Sequence, residues 1–142
     1  MKFFNRLHIL IYQISKGKRL GTVAGMPVLV LHTVGRTSGK ARHVPLTYFS
    51  YEDNYVIIAS NGGSNKHPGW FLNLKSVTKS EIEVSGELIQ VGVKVASIEE
   101  KRKLWSLLIS KASMYNNYQR KTTRDIPMVL LNKINPSQSE FS

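Results

Sequence analysis

The sequence predicts an α+β fold: a small barrel or half-barrel of strands, with helices at the start, middle and late positions of the chain. Three observations predict it. Short apolar runs bounded by turn residues recur at Pro27–Thr33, His43–Ser50, Tyr55–Ser60, Glu81–Val84 and Leu88–Val95. A capping box, Ser97 followed three residues later by Glu100, opens a long helical stretch. The length of 142 residues, 42% of them hydrophobic, suits one domain and not several.

Residues 1–20 read as an amphipathic helix, because Phe3, Leu7, Leu10, Ile11 and Ile14 recur at helical spacing. Asn5, Arg6, His8 and Gln13 interrupt the apolar run, so it is neither a secretory signal nor a membrane span. Two readings stay open: a helix packed on the domain, or an interfacial helix resting on anionic lipid. A single domain from 21 to 134 follows. "YEDN" joins the second and third apolar runs as a hairpin. Pro68 opens a short helix carrying Trp70, Leu72 and Leu74, and Ser85, Gly86 and Glu87 turn a second hairpin. The helix from Ser97 presents Leu104, Leu107 and Leu108 on one face, "PMVLL" reads as a last strand, and 135–142 is expected to be a polar, disordered tail.

Twenty Lys and Arg against nine Asp and Glu leave a net charge of +11, which favours an anionic partner: nucleic acid, a lipid surface or a polyanionic small molecule. With no cysteine, thiolate catalysis, iron–sulfur clusters and disulfides are excluded, and a cytoplasmic location is the expectation. His8, His32, His43 and His67 show no metal-ligand spacing, so no metal site is expected. There is also no Gly-x-Ser-x-Gly nucleophile elbow. Strand-borne aromatics beside basic charge are compatible with single-strand binding, yet no nucleic-acid-binding signature is present and that partner is not expected.

The stretch "TVGRTSGKARHVPL" imitates a phosphate loop, but Gly35 and Gly39 enclose three residues where that motif needs four, and Ala41 stands where a hydroxyl should follow Lys40. It reads instead as a basic connection between two strands. Arg36, Lys40 and Arg42, with Thr37, Ser38 and Gly39, offer charged donors, hydroxyls and backbone N–H groups to a phosphate or carboxylate. A second glycine-bearing segment, Ala59, Ser60, Asn61, Gly62 and Gly63, allows close backbone approach to a flat ring or a phosphate. Tyr115 and Tyr118 share a helical face and could stack on a ring and hydrogen-bond a substrate.

Together "TVGRTSGKARHVPLTYF", "IIASNGGSNKHPGWFLNL" and "YNNYQRKTTRDIP" resemble the deazaflavin (F420)-dependent nitroreductase family, a branch of the split β-barrel flavin and deazaflavin oxidoreductases. The resemblance runs in matching order from Gly21 to Leu131. It implies an FMN-binding-like split barrel, often dimeric or membrane-associated, which passes a hydride from reduced coenzyme F420 to a quinone, enone or nitro compound. Carried over by position, Arg36, Thr37, Ser38, Gly39, Lys40 and Arg42 would follow the phosphate and oligoglutamate tail. Val44, Pro45, Leu46, Ala59, Ser60, Asn61, Gly62 and Gly63 would border the ring, and His67, Trp70 and Asn73 complete the signature. Ser60, Tyr115 and Tyr118 would be the catalytic group that orients the acceptor.

Four positions depart from the family pattern. Thr37 and Asn61 stand where lysines occur in members of the family, and Thr47 and Ala112 where the nitroimidazole-reducing member carries tyrosines. Quinone or enone reduction is therefore the expected activity. The alternatives are FMN as cofactor, a binding or storage protein of the same fold without strong catalysis, or a basic lipid- or nucleic-acid-binding module. A homodimer, and peripheral contact with the inner face of the cell membrane through the N-terminal helix, are the partner expectations beside the small-molecule acceptor.

Overall fold

The computed structural model describes residues 22, 23 and 25–135. The expected amphipathic helix over 1–20 lies outside the described residues, as does the tail from 136 onward. The strands are β1 (Thr22–Val23), β2 (Met26–Val34), β3 (Ala41–Tyr51), β4 (Asn54–Ile58), β5 (Lys79–Val84), β6 (Glu87–Val95) and β7 (Met128–Lys133). Three helices interrupt them: α1 (Gly69–Leu74), α2 (Ile98–Lys111) and α3 (Met114–Arg120). Every pairing is antiparallel, in the order β1-β2-β3-β4-β7-β6-β5, and β5 also pairs with β2. Six strands therefore close into a barrel, which leaves no exposed row of backbone donors and acceptors between β2 and β5.

Alternation along each strand sorts the side chains onto two faces. Leu29, Leu31, Ile57, Ile82, Ile89, Val91, Val129 and Leu131 fill the barrel, joined at one end by Trp70, Phe71 and Leu74 from α1. Phe49, Val56, Ile58, Met128 and Leu130 point the other way and form a second cluster with Leu104 and Leu108 of α2 and Tyr115 of α3. Each aliphatic side chain fully buried in this way is worth roughly 1.5–3 kcal/mol. Two cores on opposite faces of β4 and β7 fix α2 and α3 outside the barrel while α1 caps its interior.

Local signals explain the connections. Ser97 Oγ accepts from Glu100 N at 3.2 Å and Glu100 Oε1 accepts from Ser97 N at 2.9 Å, the reciprocal capping box expected of that spacing. The hairpin β5–β6 turns through Ser85 and Gly86, with Val84 opposite Glu87. β3 is longer than its apolar run, starting at Ala41, so Arg42 sits on a strand and the basic loop shrinks to Gly35–Lys40. β4 is shorter, ending at Ile58: Ala59 N adds one more bond in register, to Pro127 O at 2.9 Å, but Pro127 has no N–H to return it, and the chain then bends into a one-turn 3-10 helix at Asn61–Gly63. Among the described residues no helix is long and apolar enough to cross a membrane.

Candidate active site

The basic loop is a short hairpin end held mostly by its own backbone. Gly35 N donates to Lys40 O at 2.8 Å and Gly39 N to Gly35 O at 2.9 Å, while Lys40 N donates to Ser38 Oγ at 3.2 Å. A Cβ on residue 35 would stand 2.5 Å from Ser38 Oγ, so a larger residue there would turn the Ser38 hydroxyl away from Lys40 N. One tie reaches outside: Arg36 donates from its backbone N (3.1 Å) and from Nη1 (2.9 Å) to Asn73 Oδ1 on α1. That contact orients the arginine along the end of the barrel.

Between this loop and α1 lies a groove of about 280 Å³, lined by Thr33, Gly35, Arg36, Thr37, Ser38, Arg42, Val44, Gly69, Trp70 and Asn73. Two guanidinium groups and three hydroxyls converge on it, which is the donor set that phosphate and carboxylate groups need. Thr33 Oγ1 is buried and has no hydrogen-bond partner among the described residues, although Thr33 lines the groove. No atom lies within 4 Å of the point where a Cβ on Gly69 would stand, so the glycine leaves room at the start of α1. The groove thus fits a phosphorylated, carboxylated cofactor tail in charge and in unsatisfied polar capacity.

The second glycine-bearing segment begins where β4 ends. Ala59 is fully buried, Ser60 half-buried, Asn61 and Gly62 exposed, and Gly63 buried. Gly63 has φ +85°, and a Cβ there would lie 2.8 Å from Tyr118 O and 3.1 Å from Lys121 Cβ, so α3 is packed directly onto the loop. The face that α3 brings carries both tyrosines, whose rings meet edge to face at 5.3 Å. Their hydroxyls differ. Tyr115 is buried and its OH shares a 2.9 Å hydrogen bond with Thr47 Oγ1 on β3. Burial pushes the Tyr115 phenol above its ordinary value, against the opposing pull of Thr47, so the group is neutral at physiological pH. Tyr118 is half-buried, and its OH donates only a long contact, 3.9 Å, to Met114 Sδ.

Sequence reasoning missed Arg124. Its guanidinium donates to Ala59 O (Nη1, 3.2 Å), Ser60 O (Nη2, 2.8 Å) and Ser64 O (Nε, 2.8 Å), and Nη1 also reaches His67 Nδ1 at 2.9 Å. Because arginine only donates, His67 Nδ1 must accept and the imidazole proton sits on Nε2. Burial, then the charges of Arg124 and Lys75, hold His67 below the ordinary histidine value. Asp125, the next residue, pairs instead with Lys101 of α2. The only hint in the sequence was that the arginine lies inside "TTRDIP", three residues before the proline whose carbonyl accepts from Ala59 N.

The structure therefore gathers some of the expected residues and separates others. Arg36, Thr37, Ser38, Arg42, Val44, Trp70 and Asn73 line one groove. Gly39 and Lys40 lie at the exposed hairpin end beside it. Leu46 packs on the barrel core, whereas Pro45 pairs with Val30 and faces the outside of the barrel. Ser60, Asn61, Gly62, Gly63 and His67 form the second loop, joined to the groove through α1, and Tyr115 and Tyr118 stand against that loop from α3.

Comparison with known proteins agrees with this geometry. The family model of the F420H(2)-dependent quinone reductases matches residues 4–133. An F420H(2)-dependent quinone reductase of Mycobacterium tuberculosis is 36% identical over 132 residues, covering 90% of this chain and 89% of the relative. Among solved structures, an F420-H2 dependent reductase superposes with a TM-score of 0.67 at 31% identity, over 75% of this chain and 94% of that one. A chain from a domain-swapped dimer superposes with a TM-score of 0.68 at 26% identity, over 92% and 98%. The protein belongs to the F420H(2)-dependent quinone reductase family, with the split-barrel fold of its members.

Proposed function

We propose that this chain is an F420H2-dependent oxidoreductase, and we place its quinone-type acceptor in a cleft bordered by the Ala59–His67 loop and the tyrosine face of α3. The observation that carries the reading is the groove in which Arg36, Arg42, Thr37 and Ser38 converge at the mouth of the barrel. Reduced F420 supplies the hydride. What the chain itself must do is hold anionic groups, fix a flat ring and present a proton.

Arg36 and Arg42 bind the phosphate and carboxylates of the cofactor, with Arg36 kept in place by Asn73. The Ala59–Gly63 backbone lies along the ring, where its glycines permit close approach. A quinone that accepts a hydride at one end also takes up one proton and becomes a hydroquinone, so a donor is needed at the acceptor oxygen. We assign that donor to Tyr118, because the Tyr115 hydroxyl is already engaged by Thr47 and serves to pack and orient the neighbouring ring. Ser60 supplies a second hydrogen bond to the acceptor from the loop side. The assembly we propose is a homodimer, supported by the swapped dimer of the 26%-identical neighbour.

Titration with F420 and, separately, FMN, following fluorescence of Trp70 and Trp105, tests the cofactor, and turnover of F420H2 with menaquinone tests the reaction. Saturable binding of F420 with turnover is the expected outcome. Binding of FMN alone would change the cofactor, binding of F420 without turnover would make the chain a storage protein, and binding of neither would overturn the reading. Tyr118→Phe is expected to lower kcat with F420 affinity kept, and equal turnover would remove Tyr118 from the mechanism.

A further inference from the structure

We infer that Arg124 is the positioning residue of this site: its guanidinium sets the shape of the Ala59–His67 loop and the tautomer of His67, and so registers the cofactor side of the cleft against the tyrosines of α3. The inference rests on the reading of that loop as the ring-binding segment.

A loop of this composition has little to hold it. Asn61, Gly62 and Gly63 all have positive φ, Asn61 and Gly62 are exposed, and the internal hydrogen bonds are one turn, Gly63 N to Ser60 O and Ser64 N to Asn61 O, with Asn61 Nδ2 to Lys66 O at 3.0 Å and Lys66 N to Ser64 Oγ at 3.2 Å, none of which ties the loop to the rest of the fold. One residue, about 60 positions later, receives three of its carbonyls and one imidazole nitrogen on a single planar fork. Lysine has no such fork, and a point charge cannot satisfy acceptors on Ala59, Ser60, Ser64 and His67 together.

The arginine is itself held from α3. Gln119 Nε2 donates to Arg124 O at 2.8 Å, Gln119 Oε1 accepts from Ile126 N at 3.1 Å, and Arg124 N donates to Thr122 Oγ1 at 3.2 Å. The helix that carries Tyr115 and Tyr118 therefore fixes the backbone of 124–126, and that backbone aims the fork at the loop. With Asp125 drawn to Lys101, no carboxylate competes for the guanidinium from the adjacent position. The chain of contacts runs from α3 through Gln119 and Arg124 to Ser60, so the acceptor-side and ring-side residues move as one unit.

The consequence for His67 is specific. An imidazole that accepts at Nδ1 offers Nε2–H as a fixed donor and no second acceptor. Its ring is kept against Phe71, with centroids 5.0 Å apart, at the entrance to α1. Arg124 thereby decides which hydrogen-bonding partner this corner of the cleft presents.

The test compares full-length wild type, Arg124→Lys and Arg124→Gln by two independent readouts. The first is the His67 tautomer, from imidazole ¹⁵N shifts of cofactor-free protein at pH 8. The second is F420 affinity together with KM and kcat for F420H2. Expected are a single Nε2–H tautomer in wild type, a mixed tautomer in both variants, and F420 affinity roughly ten- to a hundredfold weaker, with lysine failing to rescue. Circular dichroism and thermal unfolding select the variant that remains folded, and a general loss of stability alone would not change the tautomer. Unchanged tautomer and unchanged F420 affinity in a folded variant would overturn the inference. If wild type binds no F420, the proposed function fails, while the tautomer measurement still decides what Arg124 does.

Discussion

The two glycine-bearing loops of this protein face the same end of the barrel and are stabilised in opposite ways. Gly35–Lys40 is held from within, by backbone bonds between Gly35, Gly39 and Lys40, and projects its side chains outward. Ala59–His67 has bonds of its own, among Ser60, Asn61, Gly63, Ser64 and Lys66, but it is also clamped from without, by Arg124 on one side and α3 on the other. A self-contained loop works through what it displays, here guanidinium and hydroxyl groups. An externally clamped loop works through its shape, here a backbone surface beside two tyrosines. Under the proposed function, the difference teaches that charge binding and ring placement would fall to separate pieces of chain with separate supports.

The comparison is sharpened most by placing a methyl group on a left-handed glycine in each loop. At Gly63, with φ +85°, the added Cβ would meet Tyr118 O at 2.8 Å and Lys121 Cβ at 3.1 Å, so either the loop or α3 must move. Gly63→Ala is expected to lower stability by about 2–4 kcal/mol, combining backbone strain with the clash. Urea unfolding measures this, and a loss below 1 kcal/mol would show that α3 is not seated firmly on the loop. The corresponding change in the other loop belongs further down the scale of effects.

Arg42→Ala comes next. Arg42 shares the inner face of the hairpin with its cross-strand partner Thr33, and Nε lies 3.7 Å from where a Cβ on Gly35 would stand. Removing it takes a charged donor from the groove but no described packing contact from the core. F420 affinity is expected to fall about tenfold, equivalent to about 1.4 kcal/mol, and its dependence on salt to become shallower, with thermal stability kept. A loss of stability in place of affinity would break the division between a displaying loop and a shaping loop. Gly39→Ala, at φ +70° with nothing within 4 Å of its Cβ, is then the partner experiment to Gly63→Ala. Only the left-handed backbone penalty applies, about 1 kcal/mol, and F420 affinity should change little.

The same asymmetry governs what was legible in the sequence. The hairpin loop could be read because its function lies in residue types: three cations, two hydroxyls and two glycines within eight positions, Gly35 to Arg42. The strands were legible because apolar alternation and turn residues are local, as was the capping box at Ser97 and Glu100. Strand ends were not, since β3 runs through Ala41 and Arg42 because β2 pairs with it there, and β4 stops early because Pro127, opposite Ala59, has no N–H to continue the ladder. The second loop could be found from its glycines, but its clamp could not. Nothing about Arg124 in "TTRDIP" distinguishes an arginine that meets three carbonyls from one that meets water; the distinction is made by a chain bend at residues 59–64. Thr47 and Tyr115 are likewise 68 residues apart, and only the packing of α3 on the outer face of β3 joins them. Local chemistry is written locally, whereas positioning is written in pairs.

The smallest effect separates the loops by pH. The Gly35–Lys40 loop holds no histidine or carboxylate, whereas the Ala59–His67 loop contains His67, pushed below its ordinary value of 6.5 by burial and by Arg124 and Lys75. Between the folded and unfolded values the unfolded chain binds more protons, so stability is full above the unfolded value and falls as the pH drops through the folded one. Glu100 shows the same sign in a lower window. The Ser97 backbone N–H, followed by Lys94, holds its carboxyl below 4.5, so its contribution is kept until the solution is more acidic. The two groups therefore separate on the pH axis. Thermal stability of wild type is expected to decline as the pH falls below about 6.5, and His67→Gln is expected to flatten the first part of that decline while leaving the decline at lower pH. Arg124→Gln should flatten it too, by removing the charge that makes a second proton on the ring unfavourable. If His67→Gln flattens the curve and Arg124→Gln does not, burial and Lys75 depress His67 and the arginine shapes the loop without governing its charge.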